Sequence, residues 1–384
     1  MVAGSFDRRH RVPPCTQGDG LVGLKIDNDK FRKLTELMKK PVPVTSPNFL
    51  ERIAEPTSRF YPDYLAYRNR EITWAELVAR VPHVAIIGDS VCTNAYISSV
   101  LSTFWRARTC CGNNWFLDND TPPASIQSIS KRLDEFSPLV AMECAGIGAL
   151  VDHEDERERF FRRILGTRNL SGQIDHLLEA KRFPDLILIS IGHNNVDWAW
   201  RCPPGELEQA EIRLQRKSRC FRENFARQMR RLIDHAGTQR HRVGLVVYGL
   251  INFAAYFKGR EVAERLRAKD PACYPHLETT YKYFTSFRPA YRSNLIRLAA
   301  MVNEELRAMV SELNRELADN AKVQLRYSDA LATADLSDAE LLHPVDGWHA
   351  STEGHNVLAT AAFGDLGVSL EFLGIKPPKS DSGD

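Results

Sequence analysis

The sequence has no apolar run near the roughly 20 residues that a membrane-spanning helix needs, so no transmembrane segment is expected. Its first residues, MVAGSFDRRHRVPPC, contain no hydrophobic stretch of the secretory kind. It lacks an excess of either charge. Lys and Arg number 51 against 49 Asp and Glu, and a net charge of +2 gives no reason to expect nucleic acid as a partner. The 8 cysteines are scattered apart from the adjacent Cys110 and Cys111, with no metal-ligand spacing. Scattered thiols in a chain this large suit a reducing compartment, so a cytoplasmic location is expected. His343, His349 and His355 fall six apart, which suits neither one helix face nor a zinc loop. No metal or other cofactor is therefore expected. There is no GxSxG elbow, no HExxH and no phosphate-binding P-loop. Gly18, Gly20 and Gly23 do spell GxGxxG, but RVPPCTQ precedes them where a dinucleotide site needs a strand, so they are expected to form a flexible loop.

What is present is the composition of an ordinary globular chain, 43% hydrophobic and 26% charged over 384 residues. Residues 1–80 are rich in proline and charge and are expected to form an extension packed on or flanking a core domain. Within it, Phe31 to Lys40 has helical spacing, and Thr73 with Glu76 marks the start of a second helix. The core domain is expected over 81–375, with 376–384 a disordered tail. Four short apolar runs read as buried strands: Val84 to Ile87, Leu139 to Cys144, Asp185 to Ile191 and Val243 to Tyr248. A weaker fifth is Val323 to Tyr327. Helical stretches alternate with them, among them Ala95 to Trp105, which implies βαβ units and a parallel sheet with helices on both faces.

Two stretches admit two readings each. Leu214 to His235 is a basic helix with Phe221, Phe225, Met229 and Leu232 on one stripe. It fits a solvated helix packed on the sheet, or a surface for an anionic partner. Residues 251–320 form a long insertion, aromatic from Phe253 to Tyr291 and amphipathic from Leu295 to Leu317. It fits a helical cover over the core, or a wall of the site; as a wall it would favour an apolar acyl or leaving group.

The chemistry centres on HVAIIGDSVC, residues 83–92. A strand ends at Gly88, the chain turns, and Ser90 is presented where open α/β sheets place their sites. Asp and Ser are also good helix caps, so this stretch alone fits a capping role equally well. The second informative stretch is LHPVDGWHASTEGHNVL, residues 342–358, after the last strand. A serine needs a base to take its proton. His349 can be that base, and Asp346, three residues before it, can bind its Nδ1–H and leave Nε2 facing Ser90. Three oxyanion donors stand at successive strand ends: the backbone N–H of Ser90, the backbone N–H of Gly146, and the amide of Asn194. His193, beside Asn194, has no role in this scheme.

These blocks together resemble the GDSL/SGNH hydrolase superfamily. Gly88-Asp89-Ser90 matches its first block, Gly146 its second, Asn194 in GHNN its third conserved block, and Asp346 with His349 its last. The first block reads GDSV rather than GDSL, Asn195 stands where aspartate is usual, and Gly148 is a rival to Gly146. The resemblance implies a flavodoxin-like three-layer α/β/α sandwich. It also implies metal-free cleavage of a carboxylic ester or thioester through an acyl-serine, with a small-molecule, lipid or sugar ester as substrate. An acyltransferase using the same acyl-serine, and a non-catalytic binding module on this fold, are the alternatives.

Overall fold

The computed structural model describes residues 43–46, 48–93, 114–117, 126–151, 169–199, 210–318 and 320–375. The glycine motif at Gly18 to Gly23, the helices expected at Phe31 to Lys40 and Ala95 to Trp105, and the tail at 376–384 lie outside them. All the described residues fall in one unit, Lys40–Asp384.

Six strands form one sheet: β1 (Val44–Thr45), β2 (His83–Gly88), β3 (Val140–Glu143), β4 (Leu186–Ser190), β5 (Val243–Tyr248) and β6 (Val323–Ser328). Their spatial order is β1-β3-β2-β4-β5-β6. All neighbours run parallel except β1, which pairs antiparallel with β3. Without β1 the order is the flavodoxin-like one, with its switch point between β2 and β4. The apolar runs have a physical cause here. Every residue of β4 and β5 is buried, because helices cover both faces.

One face carries three helices, Ala210–Thr238 packing against both Leu170–Leu178 and Arg292–Glu316. The other carries Ile129–Asp134, Thr352–Gly364 and Gly367–Leu373. The result is a three-layer α/β/α sandwich. The basic helix 210–238 packs on the sheet through Leu214, Phe221, Phe225, Met229 and Leu232. Its arginines meet carboxylates of neighbouring helices. Arg222 reaches Glu305 at 2.8 Å and Glu312 at 2.6 Å, Arg230 reaches Glu316 at 3.0 Å, and Arg231 pairs with Asp175. The packed-helix reading therefore holds for these three.

Residues 43–80 supply β1 and three short helices, the last of which, Trp74–Arg80, carries the expected capping box of Thr73 and Glu76. Phe49, Ile53, Phe60, Leu77, Val81 and Val140 form a second, smaller core there. In the insertion, helix Phe253–Lys269 begins an aromatic cluster built on Trp348. Phe253 stacks on Trp348 at 6.1 Å between centroids, and Phe287 meets it edge-on at 4.6 Å.

Candidate active site

Ser90 opens a single 3₁₀ turn, Ser90–Cys92, directly after β2. The residue that caps this turn is Asp89, whose Oδ1 accepts from Val91 N–H at 3.1 Å. Gly88 is required by close approach. A Cβ there would lie 2.4 Å from Ser190 O and 2.5 Å from Cys92 Sγ. Gln173 holds this glycine from both sides. Gly88 N–H donates to Gln173 Oε1 at 2.7 Å, and Gln173 Nε2 donates to Gly88 O at 2.8 Å.

Asp346 and His349 lie in the turn that follows the last strand. Both are buried, Asp346 completely. Asp346 Oδ1 accepts from the backbone N–H of Trp348 at 2.9 Å and of His349 at 3.2 Å. Its Oδ2 lies 2.7 Å from His349 Nδ1. Burial pushes the Asp346 carboxyl up, but the His349 ring and the amide of Trp348 outweigh it, and the net shift is downward. A carboxylate so held keeps Nδ1 protonated, which leaves Nε2 as the lone-pair nitrogen. That Nε2 is buried and has no hydrogen-bond partner among the described residues. Ser90 and His349 line one cavity, together with His355, Tyr256 and a wall of leucines. It has a volume of about 20 Å³, room for one water.

The oxyanion donors fare differently. No described group accepts the Ser90 N–H. Asn194 is half-buried, and its Nδ2 donates one hydrogen to Ala149 O at 3.0 Å. An amide carries two donors, so one remains. Gly146 departs from expectation. Its N–H already donates to Gly88 O at 3.1 Å, because the turn prolongs the β2–β3 ladder by one more rung. The rival Gly148, at φ +70°, bonds to no described residue through its N–H.

His193 needs a correction as well. It is fully buried. Its Nδ1 lies 2.9 Å from Asp89 Oδ2, and its Nε2 accepts from Ile251 N–H at 3.2 Å. Asp89 Oδ2 also accepts from the N–H of Gly192 and of His193, both at 3.0 Å. The Asp89–His193 pair thus ties the serine turn to the end of β4 and to the start of the insertion.

Among the described residues of the insertion, Ile251 and Tyr256 reach the cavity. Phe253, Phe284 and Phe287 pack on Trp348, and Phe257 packs on Phe253, Tyr256 and Phe287, so these four rings are a cover rather than a wall. Arg260, fully buried, works beneath the His349 turn. It donates to Gly347 O at 3.2 Å, to Tyr256 Oη at 3.1 Å and to Leu277 O at 2.9 Å. Tyr256 Oη–H donates to the same Gly347 O at 2.9 Å.

Sequence reasoning missed Gln173, Arg260 and His355. The contacts that bring the first two to the site carry no local signal, since Gly88 lies 85 residues from Gln173 and Gly347 lies 87 from Arg260. His355 does lie in the 342–358 stretch, on the helix that follows His349.

No protein-family model matches the sequence, and no curated protein does. Solved structures similar to the chain include two lipases. One is the lipase Lip_vut3 from a goat rumen metagenome, 12% identical, covering 73% of this chain and 95% of that one at a TM-score of 0.39. The other is an extracellular lipase from Streptomyces rimosus, 15% identical, covering 73% of this chain and 99% of that one at a TM-score of 0.37.

Proposed function

We propose that this protein is a serine hydrolase of the GDSL/SGNH type that cleaves a carboxylic ester or thioester through an acyl-serine. One observation carries the reading. The His349 ring is oriented by Asp346 at 2.7 Å, its other nitrogen has no partner among the described residues, and it lines the same cavity as Ser90.

In the proposed reaction His349 Nε2 takes the Ser90 proton as Oγ attacks the acyl carbon. Asp346 stabilises the imidazolium that forms. The negative charge on the carbonyl oxygen falls to the Ser90 N–H and the second hydrogen of the Asn194 amide. Gly148 N–H takes the place first assigned to Gly146. His349 then returns its proton to the leaving oxygen or sulfur, and the acyl group stays on Ser90. The missing hydrogen bond between Nε2 and Oγ suits this scheme, because such contacts often tighten only with substrate bound.

The test is labelling with a fluorophosphonate probe, followed by turnover of p-nitrophenyl esters. Covalent probe on Ser90, lost in Ser90→Ala together with turnover, is the expected result. A folded wild-type protein that takes no probe and cleaves no ester would sink the reading.

A further inference from the structure

The cavity beside Ser90 contains a second imidazole that the proposed chemistry leaves unused. His355 lies in the first turns of helix Thr352–Gly364 and is only 5% exposed. Its placement is tightly fixed. Ser351 caps the helix, its Oγ accepting from Gly354 N–H at 3.1 Å while donating to Glu340 O at 2.7 Å. A Cβ at Gly354 would lie 2.2 Å from Leu341 O, so only glycine lets the helix press this close. Yet one nitrogen of the ring so fixed is left over. His355 Nδ1 is buried with no partner among the described residues. A buried polar atom left this way costs about 1–3 kcal/mol, so its persistence calls for a ligand.

The ligand must fit the place. The cavity, about 20 Å³, takes one water. A water held there needs at least two polar partners. Tyr256 has already given its hydroxyl hydrogen to Gly347 O. Ser90, His349 and His355 remain, and after acylation the Ser90 oxygen is esterified. Burial, with the neighbouring His349 and His343 rings adding to it, lowers the His355 pKa to about 3. The ring is therefore neutral, with one N–H and one lone pair. It can hold a water without competing with His349 for the proton.

We propose that His355 is a catalytic residue of the second half-reaction, holding the hydrolytic water against His349 Nε2. The inference rests on the acyl-serine reading above. Once the leaving group has gone, water enters at Nε2, where the leaving oxygen or sulfur had been. One hydrogen of that water points to His349 Nε2, and a second hydrogen bond ties it to His355. The water oxygen attacks the acyl carbon as His349 takes its proton. The tetrahedral intermediate collapses by breaking the bond to Ser90 Oγ, which regains the proton from His349, and the carboxylic acid leaves.

Stopped-flow release of p-nitrophenol from p-nitrophenyl acetate separates the halves, because this leaving group departs before the hydrolytic water enters. His355→Phe keeps the ring and deletes both nitrogens; His355→Gln keeps a donor and an acceptor. The expected result for His355→Phe is a burst of one equivalent at the wild-type rate, then a steady state slowed about 10- to 100-fold. Acetyl should then accumulate on Ser90, seen by mass spectrometry, and His355→Gln should recover part of the steady-state rate. A burst and steady state slowed by one common factor, or neither slowed, overturns the proposal. If His355→Phe fails to fold, His355→Leu, which also deletes both nitrogens, decides, and a wild-type partition between burst and steady state overturns the proposal. Wild-type protein that takes no fluorophosphonate on Ser90 removes the acyl-serine reading and this proposal together. Labelled protein with an unaltered partition removes this proposal alone.

Discussion

Asp346 is gripped by two backbone amides on one oxygen and by a histidine on the other, so its charge is fixed before any substrate arrives. Losses on mutation should therefore rank by role. Ser90→Ala and His349→Ala should each lower kcat by about 10⁶, because they act as a unit. Asp346→Asn should cost less, about 10⁴, since the ring keeps its place but loses its tautomer. Asn194→Ala should cost about 10²–10³ in kcat. An Asn194→Ala effect below tenfold would remove that amide from the oxyanion hole. His193→Ala is not the neutral control that its sequence position suggests. It leaves Asp89 short of a partner and Ile251 N–H without one, so a stability loss of about 1–3 kcal/mol is expected in urea titration. His355 also sets a pH dependence. The unfolded histidine takes up its proton near pH 6.5 and the folded one only near 3. Through that window the unfolded state binds more protons, so stability falls as pH falls, by about 1.4 kcal/mol per unit from this group. Asp346, lowered in the fold, acts in the same sense further down, its contribution fading as pH drops through its folded value. His83 and His343, lowered by burial, add to the upper window. Urea midpoints of His355→Phe should fall less steeply than wild type between pH 6.5 and 3; parallel curves would contradict this.

At the scale of the element, the turn 346–349 is shaped from below. Gly347 sits at φ +58°, and a Cβ there would lie 3.1 Å from Leu277 Cδ1. Its carbonyl takes hydrogen bonds from both Tyr256 and Arg260. Gly347→Ala should therefore destabilise by about 1–2 kcal/mol from the left-handed backbone alone. Because Asp346 and His349 ride on this turn, kcat should fall with KM little changed. Equal loss in both would mean that the turn shapes binding instead. This support explains what was and was not legible in the sequence. Asp346 and His349 could be paired because the contact spans three residues. Strands β2 to β5 could be read because burial on both faces makes them continuous apolar runs. β1 could not, since two residues carry no periodicity. The Asp89–His193 bond spans 104 residues and Arg260–Gly347 spans 87, and nothing local announces either. The engagement of the Gly146 N–H was illegible for a related reason. A glycine after a strand looks available, but whether its N–H is free depends on a ladder that only the folded sheet reveals.

Across the whole molecule, the sheet brings the ends of β2, β3 and β4 to one edge, and the two C-terminal segments close over it. Residues 336–342 and helix Thr352–Gly364 supply Leu336, Leu341, Leu342 and Leu358 to the cavity wall. The wall is apolar, which by itself would favour long acyl chains at about 0.8 kcal/mol per buried methylene. The space argues the other way. Ligand pockets usually run to about 300–1,000 Å³, and this one measures about 20 Å³. Each added methylene must displace packed leucine, and overfilling such a site costs about 1–3 kcal/mol. For the two methylenes that separate acetyl from butyryl the gain is about 1.6 kcal/mol, inside the displacement cost, so kcat/KM should not rise from acetyl to butyryl p-nitrophenyl esters. Leu341 is the wall residue to change, because it is half-buried while Leu336 is 3% exposed and its loss would damage the core. Leu341→Ala should raise the butyryl-to-acetyl ratio of kcat/KM by about 10-fold, the equivalent of some 1.4 kcal/mol of relieved crowding. A wild-type enzyme that gained steadily with chain length would show that these leucines move aside on binding, and that the volume of the closed cavity does not set the substrate.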